Sequence, residues 1–503
     1  MYKDNLIFIG KADKTEVDLL PNMMNRHGLV AGASGTGKTV TLKVLAESLS
    51  EAGVPVFMAD IKGDVTGLLK AGDQAGIQER LDSMEVTDFK VRNFPVRFFD
   101  VYRKKGLPIR AVLQDVDPVI LSQMLELTDA QEGVLQIIFK VAQDMQLDII
   151  DMKDLQAMTQ YVGDNASDLS SKYGNVTKQS VGAIQRKLLE LDQQGGSNLF
   201  GMPALDINDL MQCNNGEGVI NILECEELYN HPMLYSTFLI WLLDLFFQNL
   251  PEVGDPEKPK IVIFFDEAHL IFDNASKSLL EKITQSVKLI RSKGVGIYFC
   301  TQSPNDIPDE VLGQLSNKIQ HALRAYTPAE QKAIKTAAAS FRENPDFKTV
   351  DVITNMKTGH ALVSVLDKDG APTVVQETKI LPPMSSLSAA SDDEVQKCIQ
   401  SDSLYSKYIN DVDPESAYEK MDEIKEQAEE EKQKEKEAAQ QAKLEEQQKL
   451  AEQKAQLKKE TQKQTKAEKE ADRVRRKMIN KAENELVNVG IRSAKKFLAG
   501  LLK

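Results

Sequence analysis

The 503-residue chain holds only four cysteines, Cys213, Cys225, Cys300 and Cys398, and none forms a C-x-x-C pair. That absence argues against both a zinc site and a disulfide framework, and it suits a reducing compartment. The opening residues Met1-Tyr2-Lys3-Asp4-Asn5 lack signal-peptide character, so a cytoplasmic location is expected. Long apolar runs are missing too. The most apolar stretch, residues 238–247, is too short to cross a bilayer and contains Asp244, so no transmembrane segment is expected. An excess of positive charge is also lacking. The formal net charge is -14, and residues 1–420 hold 41 Lys+Arg against 59 Asp+Glu, which excludes a generally basic nucleic-acid-binding face. No zinc-finger, RNA-binding or winged-helix signature is present. The 42% hydrophobic content, spread over this length, supports a large core with room for two or three structural units.

Against those absences stands one uninterrupted string, Gly32-Ala33-Ser34-Gly35-Thr36-Gly37-Lys38-Thr39. It matches G-x-x-x-x-G-K-T, follows the apolar run Gly28-Leu29-Val30-Ala31 and leads into helical spacing from Val40. In such a loop the glycines let backbone N–H groups turn inward around a β-phosphate. Lys38 then reaches the β/γ oxygens, and the Thr39 hydroxyl is offered to Mg²⁺. The helix begun by Thr39 directs its positive end at the same phosphates. Nucleotide binding is therefore expected at residues 32–40.

Hydrolysis needs a metal carboxylate and a base. Ile261-Val262-Ile263-Phe264-Phe265 reads as a central parallel strand buried on both faces, and it ends in Asp266-Glu267. Asp266 is the candidate Mg²⁺ carboxylate and Glu267 the candidate base for the attacking water. Asp60, ending the strand at residues 56–59, reads either as a second-shell support for Mg²⁺ or as a cap of the next turn, and Asp64 shares the first option. Gln302 follows the strand residues 296–301, at the edge where open α/β sheets gather ligands, and is placed to sense a γ-phosphate. Arg291 and Arg324 are candidates for completing a neighbouring subunit's site. Each reads equally well as a helix-end cation or a surface partner. Asp266-Glu267-Ala268-His269 also spells the box of a class of RNA and DNA helicases, but those have two tandem cores and only one phosphate loop is visible here.

Together these segments resemble the bacterial HerA-like ATPase family, within the HerA/FtsK group of P-loop NTPases. The resemblance rests on Arg26-His27-Gly28 and the phosphate loop, Ala59-Asp60-Ile61-Lys62-Gly63-Asp64, Phe265-Asp266-Glu267-Ala268-His269, Leu289-Ile290-Arg291-Ser292-Lys293-Gly294 and Thr301-Gln302. Further strings fit its stand-alone branch, similar to the C-terminal region of HerA helicase: residues 129–135, 180–186 and 250–260. The match extends over about residues 5–383. It implies a RecA-like core, ATP and Mg²⁺ as ligands, a homo-oligomer that is usually a hexamer, ATP sites at subunit interfaces and translocation on double-stranded DNA.

The expected fold class is α/β: a RecA-like P-loop core with a mostly parallel sheet, a large helical insertion and a long charged C-terminal helical arm. The core is assigned to residues 1–65 and 216–383 and the insertion to 66–215. A linker is expected at 384–414, a charged helical or partly disordered arm at 415–489 and an amphipathic basic helix at 490–503. From Glu415 to Val489 neither proline nor glycine occurs, enough for a helix on the order of 110 Å. Its heptad seam is poor, since Ala417, Met421, Ile424 and Ala428 are followed by Glu431 and Glu435, so a solvated helix is favoured over a coiled coil. Val487, Ile491, Ala494, Leu498 and Leu501 form a terminal apolar stripe suited to docking a partner or to oligomerisation, and less well to anchoring on an anionic membrane.

Two functions follow. One is an oligomeric ATPase moving along double-stranded DNA; the other is an ATP-regulated assembly or scaffold protein acting on a protein partner through the arm. A small-molecule kinase fits poorly, because Glu267 suits activation of water.

Overall fold

The computed structural model describes residues 1–272 and 277–500, with the side chains of 277–279, 282 and 491–500 outside that description. Residues 1–421 form one compact unit, and the chain from Asp422 onward forms a second.

The first unit is built on a 13-stranded sheet. Its parallel part runs, in spatial order, Asn317–Gln320, Gly28–Ala31, Val295–Thr301, Ile261–Phe265, Val56–Asp60, Ile220–Glu224, Val96–Asp100 and Leu107–Pro108. Ile261–Phe265, Val295–Thr301 and Val56–Asp60 are buried at every residue, as continuous apolar runs in a parallel sheet covered on both faces should be. Beyond Asn317–Gln320 the sheet turns antiparallel through His360–Ser364, Gln376–Ile380 and Leu6–Ala12, the first two pairing as a hairpin around Asp369-Gly370. The order decides what meets what. The strand leading to Gln302 lies between the phosphate-loop strand and the strand leading to Asp266, which brings all three strand ends to one edge of the sheet.

Helix Lys38–Glu51 follows the loop, and helix Pro232–Asn249 stacks Phe238 on Phe57 with ring centroids 6.4 Å apart. Between Val56–Asp60 and Ile220–Glu224 lie the helices Pro118–Met124, Asp129–Asp144, Met152–Asp164 and Lys178–Gln193. Capping explains their starts: Thr128 and Gln131 form a capping box, Asp151 accepts from Lys153 N and Asp154 N, and Thr177 accepts from Ser180 N. The same segment also contributes Val96–Asp100 and Leu107–Pro108 to the sheet edge, so it is helical only in part.

One expectation is corrected outright. Residues 384–414 are no linker. Met384 and Ser385 are buried and donate their N–H groups to the Glu47 carboxylate at 2.8 and 2.9 Å, while Lys43 Nζ donates to Ser386 O at 2.9 Å. Helix Asp392–Ser401 then packs against Val96–Asp100, Arg97 pairs with Asp402 at 2.9 Å, and Tyr408 is buried beside Asp209. The serine-rich composition hid this because its contacts are made by backbone groups. A buried backbone donor must find an acceptor, and Glu47 supplies one.

Helix Ala417–Gly500 spans 84 residues. In the first unit it buries Ala417 and Met421; in the second its described side chains are solvent-facing, and Glu430 pairs with Lys434 at 3.5 Å. Gly490 does not interrupt it. Of the terminal stripe Val487 is exposed, and the other four side chains lie outside the described residues.

Candidate active site

Gly37 precedes helix Lys38–Glu51 with φ +116°, a left-handed conformation that side chains other than glycine's rarely adopt. Gly32 lies so close to His321 that a Cβ on it would come within 2.5 Å of the histidine Cβ. These two positions let the loop fold tightly over the sheet end. Neighbouring segments pin it: Gly32 N donates to Thr301 O at 3.2 Å, Ala33 N to Ala322 O at 2.9 Å, and Gly359 N to Thr36 O at 3.0 Å. Beneath, His321 bonds Thr41 Oγ1 at 2.9 Å and the His360 carbonyl at 2.8 Å, and burial pushes its imidazole down to about 4, so the ring is neutral.

Lys38 is buried and donates to Gly32 O at 2.7 Å and Ala33 O at 3.4 Å. Its ammonium therefore sits inside the curl of residues 32–39. Thr39 and Val40 are half-buried on the first turn, and Ser34 and Gly35 are exposed at the loop's crest.

Asp266 and Glu267 follow the buried strand Ile261–Phe265. Burial, then the neighbouring Glu267, raises the Asp266 carboxyl above its usual range. Glu267 adopts φ +47°, uncommon for a residue with a side chain, and its side chain is only 5% exposed. Its oxygens are engaged: Oε1 accepts from Lys62 Nζ at 2.5 Å, Oε2 from Gln302 Nε2 at 3.4 Å, and His269 Nδ1 lies 3.4 Å from Oε2. Burial alone would raise this carboxyl, but Lys62, Gln302 and Lys38 outweigh it and hold Glu267 below the usual range, hence ionised. Asp60 is buried on the adjacent strand end and accepts from Val65 N at 3.2 Å; burial, with Glu224, Asp266 and Asp64 nearby, lifts it to about 7. Its turn-capping contact is thus formed, while Asp64 is exposed.

The two arginines part company. Arg324 follows Asn317–Gln320 on the same sheet edge as the loop and donates to the Thr354 carbonyl and to Met356 O at 3.4 Å. Arg291 precedes Val295–Thr301 and so lies at the opposite edge, roughly 20 Å away along a seven-residue strand. There it pairs with Asp255 at 3.0 Å, which also pairs with Arg26 at 3.3 Å. Within one chain Arg291 cannot reach the phosphate loop.

The donor set fits a nucleotide with Mg²⁺. A hydroxyl and a carboxylate, Thr39 and Asp266, are hard oxygen donors, and among the described residues no cluster of three His, Cys, Asp or Glu could hold a metal unaided. That suits an ion completed by substrate phosphates and water.

A model of the family described as "Helicase HerA-like C-terminal" matches residues 6–501. The chain belongs to that family. Among curated proteins, the DNA double-strand break repair helicase HerA of Sulfurisphaera tokodaii is 20% identical over 374 residues, covering 72% of this chain and 67% of that protein. The helicase of the same name from Saccharolobus solfataricus is 22% identical over 370 residues, covering 71% and 64%. The chain thus spans about two thirds of the length of these relatives. Among solved structures, the unbound bacterial conjugative coupling protein TrwBΔN70 aligns with a TM-score of 0.52 at 14% identity, covering 78% of this chain and 93% of that one. Plasmid coupling protein TrwB in complex with ADP and Mg²⁺ aligns with a TM-score of 0.52 at 16% identity, covering 76% and 92%. These likenesses show the fold, a RecA-like P-loop core.

In this HerA-like chain two residues were missed by sequence reasoning. His321 carries no motif of its own and is found only once strand Asn317–Gln320 is placed beside the phosphate loop. Lys62 lies in the quoted Asp60-Ile61-Lys62-Gly63-Asp64 string, and the pairing of Val56–Asp60 with Ile261–Phe265 is the signal that sets it over Glu267.

Proposed function

We propose that the chain is an ATP hydrolase of the HerA-like type, acting as a homo-oligomeric cytoplasmic motor on double-stranded DNA. The observation that carries the hydrolase reading is the convergence, on one sheet edge, of Lys38 and Thr39 with Asp266, Glu267 and Gln302. Loop N–H groups and Lys38 would bind and orient the triphosphate, and Thr39 and Asp266 would hold Mg²⁺. The metal, when bound, neutralises charge on the phosphates. Glu267, ionised, takes a proton from the attacking water, and Gln302 beside it reports on the terminal phosphate. Arg324, exposed on the same edge, is the better placed arginine to act on a bound nucleotide, while Arg291 serves only a site presented to the far edge by another copy.

The DNA part rests on the family, on the HerA helicases it resembles and on the ring architecture that family membership implies. A second reading, an assembly or scaffold ATPase directed at a protein, is favoured by the acidic residues 1–420 and by the long exposed helix. Steady-state ATP hydrolysis with and without long duplex DNA, at two salt concentrations, separates them. Severalfold, salt-sensitive stimulation that is abolished in Lys38→Ala and Glu267→Gln supports the DNA motor. Hydrolysis indifferent to DNA moves the assignment to the protein-directed ATPase.

A further inference from the structure

The ion pair over Glu267 is the feature that the proposed hydrolysis leaves unexplained. A general base must present a free lone pair to water. Here Oε1 is taken by the Lys62 ammonium at 2.5 Å, and Oε2 faces Gln302 and His269 at 3.4 Å each. Exposure is divided unequally: the Lys62 side chain is 48% exposed and that of Glu267 5%, so the cation lies between the carboxylate and solvent.

The pair is built to be separable. Lys62 stands in the loop after Val56–Asp60, followed by Gly63 at φ +72° with open space around its Cβ position. Glu267 itself sits at φ +47°, a backbone state of the strained kind that marks switchable sites. A half-exposed lysine on a flexible stem exchanges partners readily, and among the described residues no second anion holds it at ion-pair distance.

We propose that Lys62 is a positioning residue that masks Glu267, holding hydrolysis low until an anionic contact on that rim draws the ammonium away. The inference rests on the reading of Glu267 as the base. It differs from that reading in predicting that loss of a charged contact next to the base speeds the reaction.

The test uses the full-length chain and compares wild type with Lys62→Met, Lys62→Arg and Glu267→Gln. Measured are ATP binding, by a fluorescent analogue, and kcat and KM with and without duplex DNA. Lys62→Met is expected to raise the DNA-free kcat about fivefold with KM little changed, the order set by a half-exposed ion pair. Lys62→Arg is expected to restore the low rate. A wild type that binds ATP but turns over only as Lys62→Met also supports the mask. A kcat that stays level or falls in Lys62→Met overturns it, the fall assigning Lys62 to the phosphates instead. Failure of every variant to bind ATP overturns the hydrolase reading and the mask together. ATP binding with an accelerated Lys62→Met and no DNA response leaves the mask standing and removes only the DNA assignment.

Discussion

At the scale of single residues, two buried histidines, His27 ahead of strand Gly28–Ala31 and His321 after strand Asn317–Gln320, lower stability as pH falls. His27 accepts from Ile297 N at 3.0 Å, and burial, reinforced by Arg291, pushes its imidazole down to about 4; His321 is held at about 4 by burial beside Lys38. An unfolded histidine titrates near 6.5. Between about pH 6.5 and 4 the unfolded chain therefore binds more protons than the folded one, and stability falls as pH falls. At pH 5 each histidine accounts for about 2 kcal/mol of the loss. Asp60, lifted to about 7, acts in the opposite sense, so the comparison that isolates a histidine is between variants. Urea midpoints of wild type and His27→Gln, measured from pH 8 to 5, should show a shallower pH dependence in the variant. An unchanged dependence would mean that His27 is protonated in the fold.

Elements were legible in the sequence where one local rule decided them. Ile261–Phe265 was legible as a continuous apolar run, and Lys38–Glu51 followed from the loop that precedes it. The site's acids and its lysine came from the same local strings. What was not legible needed partners far along the chain. Strand Val96–Asp100 is flanked by mixed sequence and gains its place only from Ile220–Glu224. Lys62 meets Glu267 across a sequence separation of 205 residues. The segment after Pro383 reads as loop, yet it straps the phosphate-loop helix through Glu47. That strap carries its own prediction. Glu47 is buried, burial raises its carboxyl, and two backbone N–H groups depend on it. Glu47→Ala leaves Met384 N and Ser385 N buried without acceptors and should cost about 2–4 kcal/mol. Glu47→Gln keeps one acceptor oxygen and should cost less. Denaturant unfolding of both variants checks the order; equal losses would assign the cost to side-chain packing rather than to the strap.

For the whole molecule, the unit boundary at Met421 divides groups that stability depends on from groups it does not. Ahead of it, Asp154 accepts from Ser416 Oγ at 2.6 Å and Tyr418 N at 2.8 Å, and Ala417 and Met421 are buried, so the first turn of helix Ala417–Gly500 belongs to the core. Beyond residue 430 the described side chains of the helix face solvent, and pairs such as Glu430–Lys434 contribute only about 0.2–0.5 kcal/mol each to the helix itself. A chain ending at residue 430 should therefore melt within about 2 °C of the full chain, since it loses no buried apolar surface. One ending at residue 414 strips Asp154 Oδ1 of both its donors while Oδ2 keeps Ile150 N and Asp151 N, opens the sites of Ala417 and Met421 and should melt several degrees lower. Differential scanning calorimetry of the three lengths distinguishes these cases. A large drop for the chain ending at 430 would show that the arm, despite its exposure, holds a partner surface that the fold requires. ATP turnover measured on the same three samples then tells whether the arm contributes to hydrolysis.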